Sequence, residues 1–248
     1  MRMDVVELQN FYFRTELGIK VVKAINKTLK PIIEKNSAEF LIGFGFACPY
    51  LEPLLTTPDY ETSKKKMVSL MPGEQGVIPW PKNGKNVSVL VDETSWPINT
   101  SSADLIVMAH GLEVSGNQNS LLRESSRVLS SKGKLILLVP NRTGFWARSD
   151  NTPFGFGKPY TVNQLNLMLS QNQFQIENIS PALFGLPSHE GYWLRSLNFW
   201  ETVGKRFNYP FFGGLLIVEA SKSVYGAQKL ISEKTRKISP YGKAPVTS

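Results

Sequence analysis

The sequence predicts an α/β fold built on a mostly parallel seven-stranded sheet with helices on both faces, and three observations point there. Apolar runs of strand length alternate with segments of helical period along the chain. The 248 residues are 42% apolar, enough to bury one large core. The first strand-like run, Phe40-Leu41-Ile42, enters a tight turn, Gly43-Phe44-Gly45-Phe46-Ala47-Cys48-Pro49. In parallel sheets ligands bind beyond the carboxyl ends of the strands, where such a turn lies.

The elements follow in order. Asp4 with Glu7 three residues on marks a helix start with a capping box, and Leu8, Phe11 and Tyr12 continue at helical spacing. Leu17, Val21, Ile25 and Leu29 predict a second helix, which Pro31 ends or bends. Phe40 to Phe44 is the first strand. Met67 to Leu70 is the second, preceded by Lys64-Lys65-Lys66. Residues 71–86 hold three prolines and three glycines, too many breakers for an ordinary crossover helix. Val87 to Val91 and Leu105 to Met108 are the third and fourth strands. A helix over Ser120 to Leu129, a turn at Lys132-Gly133 and a fifth strand from Leu135 to Val139 come next. After a long connection over residues 140–160, Thr161 caps a short helix to Leu169. Phe174 to Ile179 is the sixth strand and Gly214 to Ala220 the last. Between them lies an aromatic segment with Trp193, in which Tyr192, Phe199 and Trp200 read as core or interface. The chain divides into N-terminal helices over 1–36, one domain over 37–221 and a tail over 222–248.

Charge is concentrated in that tail. It holds six Lys and Arg against one Glu, so five of the eight net positive charges lie there. Rich in Ser, Lys, Gly and Pro, it reads as a weakly ordered solubilising tail, or as a contact for nucleic acid or an anionic surface. A tail that docks as a structural element would instead fit a homodimer. The single cysteine, Cys48, excludes an intrachain disulfide and agrees with a cytoplasmic setting. Asp4 and Glu7 argue against a leader peptide. No apolar run approaches the roughly 20 residues of a membrane span. His110, His189 and Cys48 are too few and too scattered to predict a metal site.

Three stretches carry a family resemblance. "LVDETSWPINTSSADLIVMAHGLEV", "RESSRVLSSKGKLILLVPN" and "YTVNQLNLMLSQNQFQIENI" resemble the second half of class I S-adenosylmethionine-dependent methyltransferases of the type 11 kind. The resemblance implies a Rossmann-like class I methyltransferase fold and S-adenosylmethionine as cofactor, with S-adenosylhomocysteine as product. It places Asp92, with Glu93 beside it, on the acid that bonds the adenine amine. Asp104 opens strand four, and Ala109 and His110 lie where the family contacts cofactor or substrate. The front half departs from the pattern. Gly43 stands in place of the family's acid, Gly45 keeps the first glycine, and Ala47 and Pro49 replace the others. Gly43, Phe44, Gly45, Phe46 and Ala47 are thus the implied cofactor turn. Met71 falls where the family's second strand ends in a ribose-binding acid, and a thioether accepts hydrogen bonds only weakly. Glu74 and Glu93 are the nearby acids that could replace it.

The implied activity is methyl transfer to a small or medium-sized acceptor. The alternative is a methyltransferase-like binding or regulatory protein that has lost catalysis. A dinucleotide fingerprint fits poorly, because the third glycine and the acid after strand two are missing. The sequence Ala109-His110-Gly111-Leu112 lacks the Pro-Pro-aromatic motif of enzymes that methylate DNA bases or amide nitrogens. Cys48 reads as a packing residue. On the long connection, Arg142, Trp146 and Arg148 are the expected acceptor contacts, with Gly144, Gly155 and Gly157 as hinges of a lid. No catalytic residue is singled out, since the sulfonium supplies the driving force and the protein mainly aligns the reactants.

Overall fold

The computed structural model describes residues 3–62, 64–188 and 213–223. Helix α1 (Val5–Arg14) starts as expected, with the Asp4 carboxylate accepting from the Glu7 N–H and Glu7 accepting from the Asp4 N–H. Helix α2 (Glu16–Lys35) buries one stripe, Leu17, Val21, Ala24, Ile25, Leu29 and Ile33. It does not end at Pro31. The buried stripe continues past the proline, which itself faces solvent, so packing carries the helix on to Lys35.

Seven strands form one sheet: β1 (Phe40–Gly45), β2 (Lys66–Pro72), β3 (Ser88–Val91), β4 (Ala103–Ala109), β5 (Leu129–Pro140), β6 (Phe174–Ala182) and β7 (Leu215–Lys222). Their order is β3-β2-β1-β4-β5-β7-β6, and β7 alone runs antiparallel to its neighbours. The order reverses between β1 and β4, so a crevice is expected at their carboxyl ends. Among the described residues, helices α3 (Cys48–Leu55), α4 (Pro58–Glu61), α5 (Gln118–Val128) and α6 (Val162–Gln171) flank the sheet. Along β1 the side chains alternate between two cores. Leu41 joins α1, α2 and α3 on one face, while Ile42 and Phe44 join α5 and α6 on the other.

Two local expectations change. Helix α5 runs straight into β5 at Leu129, without a separate turn at Lys132-Gly133. The pairing with β4 jumps from Ala103–Leu129 to Leu105–Lys134, so those residues belong to a bulge in the strand. Pro49 does not disturb the turn after β1. It occupies the first turn of α3, where a missing N–H costs nothing. Asp104 ties the sheet together at the opposite end, its Oδ2 accepting from the N–H groups of Glu39 and Phe40. His189, the aromatic segment from Tyr192 to Trp200 and the tail from 224 onward lie outside the described residues. Among the described residues no helix is long and apolar enough to cross a membrane.

Candidate functional site

The carboxyl ends of β1 to β4 make one rim of the sheet, and the turn after β1 is packed shut. At Gly43 a Cβ would lie 2.7 Å from Leu51 Cδ1, so the missing side chain seats α3 against β1. Gly45 has φ +73°, and a Cβ there would come within 2.3 Å of the Ala109 carbonyl oxygen. This close approach lets the Phe46 N–H donate to the same oxygen at 2.8 Å. Phe44 turns to the other face and stacks on Trp96, with centroids 4.9 Å apart. Phe46, Ala47 and Ala109 are buried in the core that includes α1 and α2. Cys48 is buried as well; its thiol lies 3.4 Å from Ser69 Oγ, and burial pushes it up to about 12. It is a packing residue.

Tyr12 of α1 roofs this half of the rim. Its ring stacks on Phe46 at 5.9 Å, and its hydroxyl lies 2.6 Å from His110 Nε2 and accepts from the Tyr50 O–H at 2.9 Å. His110 has φ +50° and is buried, with Nδ1 3.2 Å from Glu113 Oε1. Gln75 donates from Nε2 to the His110 carbonyl at 3.1 Å, and its backbone carbonyl accepts from the Val5 N–H at 2.8 Å. Helix α1 therefore holds the loops after β1, β2 and β4 at once. Burial is the main cause that raises both the Tyr12 and Tyr50 phenols, so both stay protonated, and Tyr50 donates to Tyr12.

The half at β2 and β3 is open and acidic. A cavity of about 280 Å³ is lined by Gly73, Glu74, Val91, Asp92, Glu93, Thr94, Gly116 and Asn117. Asp92 is exposed, and its Oδ1 accepts from the Thr94 N–H at 2.8 Å and the Thr94 hydroxyl at 2.7 Å. These bonds, the hydroxyl's first, hold its carboxyl below the usual range. Glu93 Oε2 accepts from Ser115 Oγ at 2.8 Å. Met71 does not reach this cavity. Strand β2 continues to Pro72, which leaves Met71 inside the strand and fully buried in the core. Glu74, beyond Gly73, brings a carboxylate to the end of β2 instead.

The connection after β5 is anchored rather than hinged. Trp146 is fully buried, donates through Nε1 to the Gly185 carbonyl at 2.7 Å and packs edge-on against Phe154 at 5.6 Å. It pins the connection to the core and presents no face to an acceptor. At Gly144 a Cβ would lie 2.7 Å from the Gly213 oxygen, and at Gly155 2.1 Å from the Ser149 oxygen, so these glycines serve close packing. Arg142 and Arg148 are exposed, and Arg142 Nε donates to the Pro159 carbonyl at 3.2 Å. Tyr12 carries only a helix-face signal in the sequence. Tyr50, Gln75, Glu113 and Ser115 carry none, because loops far apart in the chain bring them together. Among the described residues no three His, Cys, Asp or Glu side chains gather as a metal site.

A sequence model of the family described as "Methyltransferase domain" matches residues 44–137. No curated protein matches the chain by sequence. Among solved structures, a SAM-dependent methyltransferase from Archaeoglobus fulgidus aligns with a TM-score of 0.55 at 13% identity, covering 88% of this chain and 100% of its own. A Thermotoga maritima protein described as a SAM-dependent methyltransferase, "possible histamine N-methyltransferase", aligns at 0.50 and 13% identity over 88% of this chain and 93% of its own. The [4+2]-cyclase SpnF aligns at 0.51 and 15% identity, covering 82% and 83%. At these identities the solved structures speak to the fold alone. The chain thus matches a methyltransferase-domain model over residues 44–137 and shares the fold of these S-adenosylmethionine-dependent methyltransferases.

Proposed function

We propose that the chain is an S-adenosylmethionine-dependent methyltransferase acting on a small or medium-sized acceptor, with the adenosyl half of the cofactor held by Glu74, Asp92 and Glu93. The observation that carries this reading is the acid-lined cavity at the carboxyl ends of β2 and β3. Carboxylates only accept, and an adenosyl group offers ribose hydroxyls and an exocyclic amine as donors. Asp92, with its lowered carboxyl, stays ionised across neutral pH and keeps that role. When bound, the cofactor supplies an activated methyl group on a sulfonium. The chain's part is to orient and to exclude water. Of the expected acceptor contacts, Arg142 and Arg148 have exposed side chains that can meet an anionic or polar group, whereas Trp146 supports them from the core.

The acceptor set fits the adenosyl half. The other half of the rim, where the family's glycine turn faces the methionyl part, is filled by Phe46 and Tyr12. That filling supports a second reading, a binding or regulatory protein on the same fold. The likeness to a [4+2]-cyclase is a reminder that the fold alone does not dictate methyl transfer. Calorimetric titration with S-adenosylhomocysteine separates the two. Heat of binding in the micromolar range supports the enzyme. Neither heat nor a thermal shift at high micromolar ligand shifts the support to the second reading.

A further inference from the structure

Glu113 is a buried acid whose hydrogen-bonding needs the closed rim does not meet. It is 2% exposed, neither carboxylate oxygen accepts a hydrogen bond, and the buried Gln75 Oε1 accepts none either. Oε1 lies 3.2 Å from His110 Nδ1, but the approach lacks hydrogen-bond alignment. Nearby donors are committed elsewhere. Tyr50 donates to Tyr12, Tyr12 is engaged with His110 Nε2, and the Tyr160 O–H donates to the Leu112 carbonyl. Glutamates are rarely this buried unless paired, and a carboxylate has about four acceptor positions to fill. What this buried cluster lacks is a donor, and a cationic one answers its charge.

We propose that Glu113, together with Gln75 Oε1, recognises a protonated primary amine. The surroundings suit a cation, because the rings of Tyr12, Tyr50 and Phe154 lie around the His110–Glu113 pair and aromatic faces attract ammonium groups. Charge-assisted bonds to two otherwise unsatisfied acceptors give such a group more than water does. Access requires α1 to lift, because Tyr12 covers the pair. The amine has two sources: the α-amino group of the cofactor, which rests on the reading above, or an amine on the acceptor, which does not require it.

The test is titration of the full chain with S-adenosylhomocysteine and with its des-amino analogue, which keeps the carboxylate. In the unmodified protein the amine should strengthen binding about tenfold or more, and Glu113→Gln should erase that preference. If the two ligands bind equally, phenethylamine titrated onto the S-adenosylhomocysteine-loaded protein examines the second source. Glu113-dependent binding there assigns the amine to the acceptor. If S-adenosylhomocysteine gives no heat, the cofactor reading fails and phenethylamine on the free protein decides alone. Should Glu113→Gln not fold, Gln75→Met, which removes the second acceptor, is read in the same way. An amine preference that survives the substitution, or no amine preference for any ligand, overturns the proposal.

Discussion

The two halves of the rim share one sheet and one set of strand ends, yet they are built oppositely. At β1 and β4 the loops are drawn into the core by Tyr12, Phe46 and His110, and the polar groups bond one another. At β2 and β3 the chain leaves the sheet through Gly73 and Asp92, and its carboxylates face solvent. The difference traces to what covers each half. Helix α1 lies over the first, and nothing among the described residues closes the second. A fold can therefore keep one part of a ligand site open while it packs another part into its interior.

The largest expected effect tests how far the closed half depends on its anchor. Trp146→Ala should cost about 3–5 kcal/mol, the range for removing a large buried aromatic. Chemical denaturation measures it, and a loss below about 1 kcal/mol would mean that the connection after β5 is held by other contacts. Tyr12→Phe comes next. It removes the hydroxyl between Tyr50 and His110, two buried groups, for about 2–3 kcal/mol. The same change loosens α1, so S-adenosylhomocysteine should bind more tightly to the folded variant. Unchanged affinity would separate α1 from the ligand site.

A smaller effect concerns the far side of the open half. Glu124 accepts from the Trp96 N–H and from Arg127, whose guanidinium also donates to the Trp96 and Ile98 carbonyls. This network holds the β3–β4 connection in place. The Arg127 hydrogen bonds hold the Glu124 carboxyl below its ordinary value. Its contribution is therefore present above the unfolded value of about 4.3 and is lost as pH falls through the lower folded value. Glu124→Gln should cost about 1–2 kcal/mol at pH 7 and flatten acid unfolding in that window. A variant whose acid transition matches the parent's would show that the network carries no such stability. Asp92→Asn is the mildest change. Asn keeps the oxygen that Thr94 bonds, so stability should be nearly unchanged. Loss of the charged acceptor should weaken S-adenosylhomocysteine about fivefold. Equal affinity in calorimetry would remove Asp92 from the cofactor site.

Much of the fold is legible without coordinates. The capping signals at Asp4 and Thr161 sit on helix starts, because a cap involves residues three apart. All seven strands lie within a few residues of their expected bounds, except that β5 begins earlier, at Leu129. Errors cluster where local pattern and tertiary packing disagree. Pro31 reads as a stop or a bend, yet the helix runs on to Lys35 with Ile33 buried. Lys132-Gly133 reads as a turn, yet β4 lies alongside and draws it into a bulge. The site is less legible than the fold. Met71 is the position the family pattern selects, but the carboxylate at the strand end is Glu74, because β2 is longer than its apolar run.

What the sequence determined by itself is the alternation of elements, the two-sided burial of the strands and the family pattern around Asp92. Those depend on residues a few places apart, and periodicity records them directly. Only the tertiary structure decided that Gly43 and Gly45 admit neighbouring protein atoms, that Trp146 is core, and that Tyr12, Gln75, His110 and Glu113 meet. Strand order is the physical reason. Placing β4 beside β1 brings residues about a hundred positions apart within hydrogen-bond reach, and no local pattern in the chain encodes that neighbourhood.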